Sequence, residues 1–84
     1  MQNYAEAMKC FNSVIELESN NCEAHDFKGN CLFKLKKYTD ALEEYTTAHK
    51  IDPQNQIYLK HVNLTKVNLI LFIIYLFILK FYFS

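Results

Sequence analysis

The sequence contains neither tryptophan nor arginine, and it has only one glycine and one proline. All nine basic residues are lysine, and nine acidic residues balance them, so no basic stripe directs the chain toward nucleic acid. The lone Gly29 excludes a glycine-rich phosphate-binding loop. Cys10, Cys22 and Cys31 lack disulfide-scaffold spacing, and no secretory signal pattern is recognisable, so we interpret them as reduced thiols of a cytoplasmic protein.

Catalytic and metal-binding chemistry has little support in the sequence. Cys22, His25 and Cys31 would stand at i, i+3 and i+9 of one helix, which does not bring them to one ion, and no CxxC pair exists. Small buried cysteines and surface histidines are the simpler interpretation. A Cys–His nucleophile pair would lack an orienting third group. We therefore predict no enzyme activity, no catalytic residues, no cofactor and no metal.

The sequence matches itself at an offset of 34 residues. The first copy contributes Tyr4, Ala7, Phe11, Leu17, Glu18 and Asn21, and the second contributes Tyr38, Ala41, Tyr45, Ile51, Asp52 and Asn55. This period is the length of a helix–turn–helix solenoid unit. The match therefore indicates an architecture that holds other proteins, with the chain starting midway through one repeat.

Residues 38–51 have the spacing of an amphipathic helix. Positions 38, 41, 42, 45, 48 and 49 follow the i, i+3, i+4 spacing of a mainly apolar stripe, and the residues expected to face water are Asp40, Glu43, Glu44 and Lys50. Ala41 and Ala48 flank the bulky Tyr45, so a neighbouring helix can approach closely. The same reasoning predicts helices over 3–18 and 22–35, the latter packed antiparallel to 38–51.

Short polar segments mark the predicted helix ends. Asn21 and Asn55 can cap the helices that follow them through their side-chain oxygens. Lys36-Lys37 forms a basic turn, and Asp52-Pro53 ends the helix before it, because the residue before a proline leaves helical geometry.

Residues 25–53 resemble the tetratricopeptide repeat family. They run His25-x2-Lys28-Gly29-x2-Leu32-x8-Ala41-x3-Tyr45-x2-Ala48-x4-Pro53, and Tyr38 completes the repeat signature. His25 and Lys28 depart from the tryptophan and leucine of the family pattern. The resemblance implies an all-α helix–turn–helix solenoid fragment, made of the second helix of a truncated repeat (1–21) and a complete repeat (22–55). Beyond it we expect a single long apolar C-terminal helix, which comprises the start of a further helix (56–66) and an apolar tail (67–84).

The resemblance also implies a function. In such proteins the first helix of each repeat lines a concave groove that holds a peptide or helix of a partner protein, without catalysis. The partner-binding residues predicted on that face are Glu23, Asp26, Phe27, Asn30, Phe33 and Lys34. The alternatives are simple solvation for Glu23 and Lys34, and packing on a neighbouring repeat for Phe27 and Phe33. One subclass grips chaperone C-termini with a lysine three residues before its Gly-Asn pair; Asp26 reverses that charge here, so we do not expect this ligand.

The segment 67–84 has only Asn68, Lys80 and Ser84 as polar residues and shows no amphipathic period. It can be a membrane tail anchor, with Lys60, His61 and Lys66 on the cytosolic side and Lys80 near the far interface. It can be a buried core helix. It can also derive from an unspliced intron, because every residue from 68 to 83 can be written in codons of A and T alone.

The function therefore has alternatives. A protein-interaction scaffold is expected first, a tail-anchored adaptor or receptor at an organelle membrane second, and an appendage of a catalytic domain outside this chain third. An anchor predicts one continuous helix over 56–83. Its first part should pack on the preceding helix through Tyr58, Leu59 and Val62, and the part beyond Val67 should project freely.

Overall fold

The computed structural model describes residues 3–83, and these form four α-helices. They are α1 (Tyr4–Leu17), α2 (Cys22–Lys34), α3 (Tyr38–Ile51) and α4 (Gln56–Phe83). Residues 3–83 contain no β-strand, so the predicted all-α class is confirmed, and each predicted helix boundary lies within one residue of the observed one. Met1, Gln2 and Ser84, which end the predicted segments 1–21 and 67–84, lie outside the described residues.

Asparagine side chains begin three of the four helices. The Oδ1 atom of Asn21 accepts from the backbone N–H of Ala24 at 2.9 Å, and that of Asn55 accepts from the N–H of Ile57 at 2.9 Å. Both predicted caps are therefore present, and Asn3 caps α1 in the same way. Among residues 3–83 no side chain caps α3, which follows Lys37 directly.

The turn between α2 and α3 reverses the chain within residues 35–37. Lys36 adopts a left-handed conformation with φ of 62°. The N–H of Lys36 donates to the carbonyl of Phe33, and the N–H of Lys37 donates to that of Leu32, both at 2.9 Å. This hydrogen-bond pattern closes a helix C-terminus in the position that usually holds glycine, and it brings α3 back against α2 as an antiparallel neighbour.

The core lies where α2, α3 and α4 meet. Its central cluster is formed by Leu32, Ala41, Tyr45 and Val62. Ala41 and Ala48 are fully buried, as expected of small residues at a close helix contact. Gly29 permits a close approach of α3, because a Cβ atom on it would lie 2.7 Å from two ring carbons of Tyr45. Four of the signature residues, Gly29, Leu32, Ala41 and Tyr45, therefore lie where α2 and α3 meet.

The first half of α4 packs on α3, and the second half leaves the core. Tyr58, Val62 and Thr65 are buried, whereas the predicted contact Leu59 is only half-buried. Contact with α3 extends beyond the predicted limit of Val67, since the rings of Phe72 and Tyr38 are 6.2 Å apart.

Beyond Phe72 the helix is a largely exposed apolar segment, residues 73–83, which we call the rod. Most of its large apolar side chains are between 47% and 81% exposed, so the buried-core interpretation of this segment is wrong. By length and composition α4 is able to cross a membrane.

Candidate functional site

A groove runs between α2 and the first half of α4. Its larger cavity has a volume of about 750 Å³ and lies near the start of both helices. The lining residues are Asn20, Asn21, Cys22, Glu23, Asp26, Phe27, Asn30, Asp52, Asn55, Ile57, Tyr58 and His61. Four of the six predicted partner-binding residues, those on the first turns of α2, are therefore brought together on one wall.

The other two predicted residues lie further along α2. Phe33 and Lys34 line a smaller cavity of about 190 Å³, whose lining also includes Asn30 and His61. The two cavities thus adjoin at these shared residues. Together they make up a single feature, the α2–α4 groove.

Asp26 is placed differently from the expectation that it faces a partner. The residue is only 5% exposed, and its Oδ1 lies 2.6 Å from Nδ1 of His61 on α4. Its carboxylate therefore ties the two walls of the groove together. Sequence reasoning missed this role because the two residues are 35 positions apart and no local pattern connects them.

Asn30 is held by a tyrosine from α3. The Tyr45 hydroxyl donates to Oδ1 of Asn30 at 2.5 Å, and the Tyr45 ring packs at a tilt of 46° against that of His61, with centroids 5.0 Å apart. Burial, followed by the charges of nearby Asp26 and Cys31, raises the pKa of the Tyr45 phenol, so it remains a donor. The bond engages the carbonyl end of the Asn30 amide and leaves the NH2 end as the donor that Asn30 can offer in the groove.

Both predicted aromatic anchors also pack within the chain. The Phe27 ring lies 5.6 Å from that of Phe11 on α1, yet Phe27 remains 45% exposed and lines the larger cavity. The Phe33 ring meets that of Tyr38 edge-on at 5.2 Å. The Phe33 side chain is therefore engaged mainly in packing on a neighbouring helix. Phe27 contacts Phe11 on one side and leaves its other side open to the groove.

The larger cavity has an acidic character. Glu23, Asp26 and Asp52 belong to its lining and no lysine does, although His61 offsets part of the charge when protonated. Glu23 is exposed, so its charge faces the solvent-filled side of the groove. The groove therefore combines negative charge with the apolar surfaces of Phe27 and Ile57.

His25 and Lys28, the two residues that depart from the repeat pattern, both contact the carboxylate of Glu44 on α3. His25 Nδ1 lies 2.9 Å from Oε1 of Glu44, and Lys28 Nζ lies 3.7 Å from Oε2. The side chain of Glu44 is only 16% exposed, so the expectation that it faces water is wrong. The α2–α3 contact at this point is polar, with Glu44 offsetting the loss of the usual apolar pair.

Nothing in the described part of the chain groups three or more histidine, cysteine or acidic side chains as a metal site would require. Cys31 is buried, and burial raises the pKa of its thiol, which makes it a poor nucleophile. Cys10 is exposed, so the interpretation of all three cysteines as buried holds only for Cys31. His25 and His61 are half-buried and paired with carboxylates rather than free at the surface.

Comparison with known proteins identifies the helical repeats of the chain. Family models described as tetratricopeptide repeat match residues 22–55 and residues 1–21. Over 58 residues, the chain is 34% identical to a protein of Arabidopsis thaliana described as the probable UDP-N-acetylglucosamine–peptide N-acetylglucosaminyltransferase SPINDLY. The match covers 69% of this chain but only 6% of that relative's length.

Proposed function

This chain belongs to the tetratricopeptide repeat family, and we propose that it is a non-catalytic interaction module that holds a peptide or helix of a partner in the α2–α4 groove. The observation that supports the proposal is the cavity of about 750 Å³, in which Glu23, Phe27 and Asn30 face Ile57 and Tyr58 of the next helix.

The groove has the composition of a protein-binding surface. Phe27 is an aromatic anchor whose ring packs against Phe11, and buried aromatic residues carry much of the binding energy at interfaces. Asn30 is oriented by Tyr45 before any partner arrives, which reduces the entropy lost on binding. The acidic lining favours a partner segment that presents hydrogen-bond donors or a positive charge beside an apolar residue.

Selection of peptide ligands tests this proposal. A displayed random-peptide library is selected on the 84-residue chain, and the affinity of the enriched peptides is measured by titration calorimetry. Phe27→Ala and Asn30→Ala should each weaken binding about tenfold or more, because hot-spot truncations cost over roughly 1–2 kcal/mol. Asp40→Ala and Glu43→Ala, at exposed positions on α3, serve as matched controls and should bind normally.

Two results would contradict the proposal. One is a selected peptide that binds the groove variants and the control variants equally. The other is a peptide that protects residues of α3, rather than those of α2 and α4, from hydrogen exchange.

A second function, attachment to a membrane, is favoured by the rod. Its exposed apolar side chains have no protein neighbour among residues 3–83 that covers them, and a bilayer accepts such a surface. An anchored module would hold its partner at that membrane as an adaptor. The transferase activity named for the Arabidopsis relative belongs to a protein of which this chain spans 6%, and we assign binding rather than catalysis to these residues.

A further inference from the structure

The α2–α3 turn and the start of the rod lie side by side. A cavity of about 310 Å³ is lined by Lys36, Lys37, Tyr38, Thr39 and Asp40 on one side and by Leu69 and Phe72 of α4 on the other. Two lysines therefore sit at the level where α4 leaves the core and its apolar surface becomes exposed. We call this pair the lysine turn.

The same place offers hydrogen-bond donors for an anion. Within the described residues no side chain caps α3, so the first N–H groups of that helix remain open next to the lysine turn. A helix N-terminus beside two ammonium groups binds phosphate well. Asp40 is the only acidic residue in the lining, so the positive charge predominates.

Lys80 sets how the rod can lie in a bilayer. It stands eight residues beyond Phe72, which is roughly 12 Å along the helix axis. If the lysine turn lies at the headgroups and the rod enters upright, Lys80 comes close to the centre of a hydrocarbon core about 30 Å thick. A charge at that depth is strongly unfavourable. An oblique rod removes the conflict, because the Lys80 amine can then extend back to the headgroups.

We propose that the repeat lies directly on an anionic phospholipid bilayer, with the lysine turn on lipid phosphates and the rod embedded obliquely in the near leaflet. The proposal rests on the membrane-attachment function and specifies its geometry. A helix that crosses the bilayer while the lysine turn stays at the headgroups would place the Lys80 charge near the centre of the hydrocarbon core. Crossing therefore requires Leu69 and Phe72 to separate from the start of α3. The structure therefore favours a helix that enters the membrane without crossing it.

Vesicle binding tests the contact of the lysine turn. The full 84-residue chain is bound to sealed vesicles of phosphatidylcholine, with or without phosphatidylserine, an anionic lipid of the cytoplasmic leaflet. The test variant is Lys36→Asn/Lys37→Gln, since asparagine tolerates the left-handed conformation of residue 36. The control is Lys9→Gln/Lys50→Gln, which removes the same charge from exposed positions elsewhere.

Each lysine near an anionic surface contributes a factor of roughly five in binding, so the test variant should bind anionic vesicles about 30-fold more weakly. The control should change little. Equal binding of all variants to both vesicle types would overturn the proposed contact while leaving membrane attachment intact. Binding to neither vesicle type, with a discrete dimer by light scattering, would overturn both, because a second copy would then cover the rod.

Amine labelling tests the oblique rod. A membrane-impermeant amine reagent is added outside the vesicles, and labelled lysines are identified by mass spectrometry after chymotryptic digestion. The proposal expects Lys80 to be labelled from outside, as Lys66 is. Labelling of Lys80 only after the vesicles are opened would show that α4 crosses the bilayer. Protection of Lys80 in both cases would show an upright rod with a buried charge, and either result would refute the oblique geometry.

Discussion

Replacement of Gly29 by alanine isolates the close contact between α2 and α3. In an ordinary helix interior this change stabilises by about 1 kcal/mol, because alanine has the higher helix propensity. Here the new Cβ would lie 2.7 Å from two ring carbons of Tyr45, well inside the 3.5–4.0 Å preferred between carbon atoms. The gain in helix propensity and the steric clash have opposite signs, so the sign of the change in the free energy of unfolding shows which one dominates.

The Tyr45 ring has little freedom to move away. It is 3% exposed, and its hydroxyl is bonded to Asn30 at 2.5 Å. Overpacking costs about 1–3 kcal/mol, and displacement of the ring also weakens a hydrogen bond worth about 1 kcal/mol. After subtraction of the propensity gain, Gly29→Ala should lower the free energy of unfolding by about 1–3 kcal/mol.

The assay is urea unfolding of the full chain in a mild nonionic detergent, followed by circular dichroism. The same substitution is made in a Tyr45→Leu background, where the ring is absent and alanine should be neutral or stabilising. A double-mutant cycle then gives the coupling between the two sites. An equal loss of stability in both backgrounds, or a gain with Tyr45 present, would refute the reasoning.

Three further predictions use the same unfolding assay. Lys36→Gly should stabilise by roughly 0.5–1 kcal/mol, because residue 36 has a positive φ that glycine adopts freely, whereas Lys37→Gly, at φ −90°, should give no gain. Ala41→Leu should destabilise by about 1–3 kcal/mol, since the site is fully buried, and an unchanged midpoint would contradict the close packing. Burial, with a contribution from Asp26, raises the pKa of the Tyr45 phenol above its ordinary value of 10.0. The folded state therefore favours the neutral phenol, and this contribution to the free energy of unfolding is complete below pH 10 and is lost as the pH rises further. Tyr45→Phe should therefore lose less stability than the parent chain above pH 10, and parallel losses would exclude this effect.

The sequence was sufficient to predict the helices and their buried stripes because both depend on local periodicity. Positions 41, 45 and 48 are buried as expected, and Asn21 caps α2 through the predicted oxygen. The left-handed conformation of Lys36 could not be predicted, because the hydrogen bonds that impose it favour glycine and the residue there is lysine.

The contacts that shape the candidate site were not predictable in the same way. From its own helix, Asp26 is predicted to be exposed; its burial depends on His61, which lies on another helix. Glu44 likewise lies on the polar side of its own helix and is half-buried because His25 and Lys28 of α2 lie against it. In both cases the partner is distant in sequence, and the interaction exists only after the helices pack.

The continuity of α4 has a mechanical consequence. The helix has 28 residues, a length of roughly 42 Å, and contains neither glycine nor proline, so it bends only gently. Tyr58 and His61, near one end, belong to a wall of the α2–α4 groove, Thr65 is fully buried farther along, and the rod forms the other end. We therefore expect α4 to move as one rigid lever, so that a force on the rod also displaces the wall of the groove that α4 provides. We expect a load that tilts the rod to change the width of the groove, and a ligand bound in the groove to change the angle of the rod.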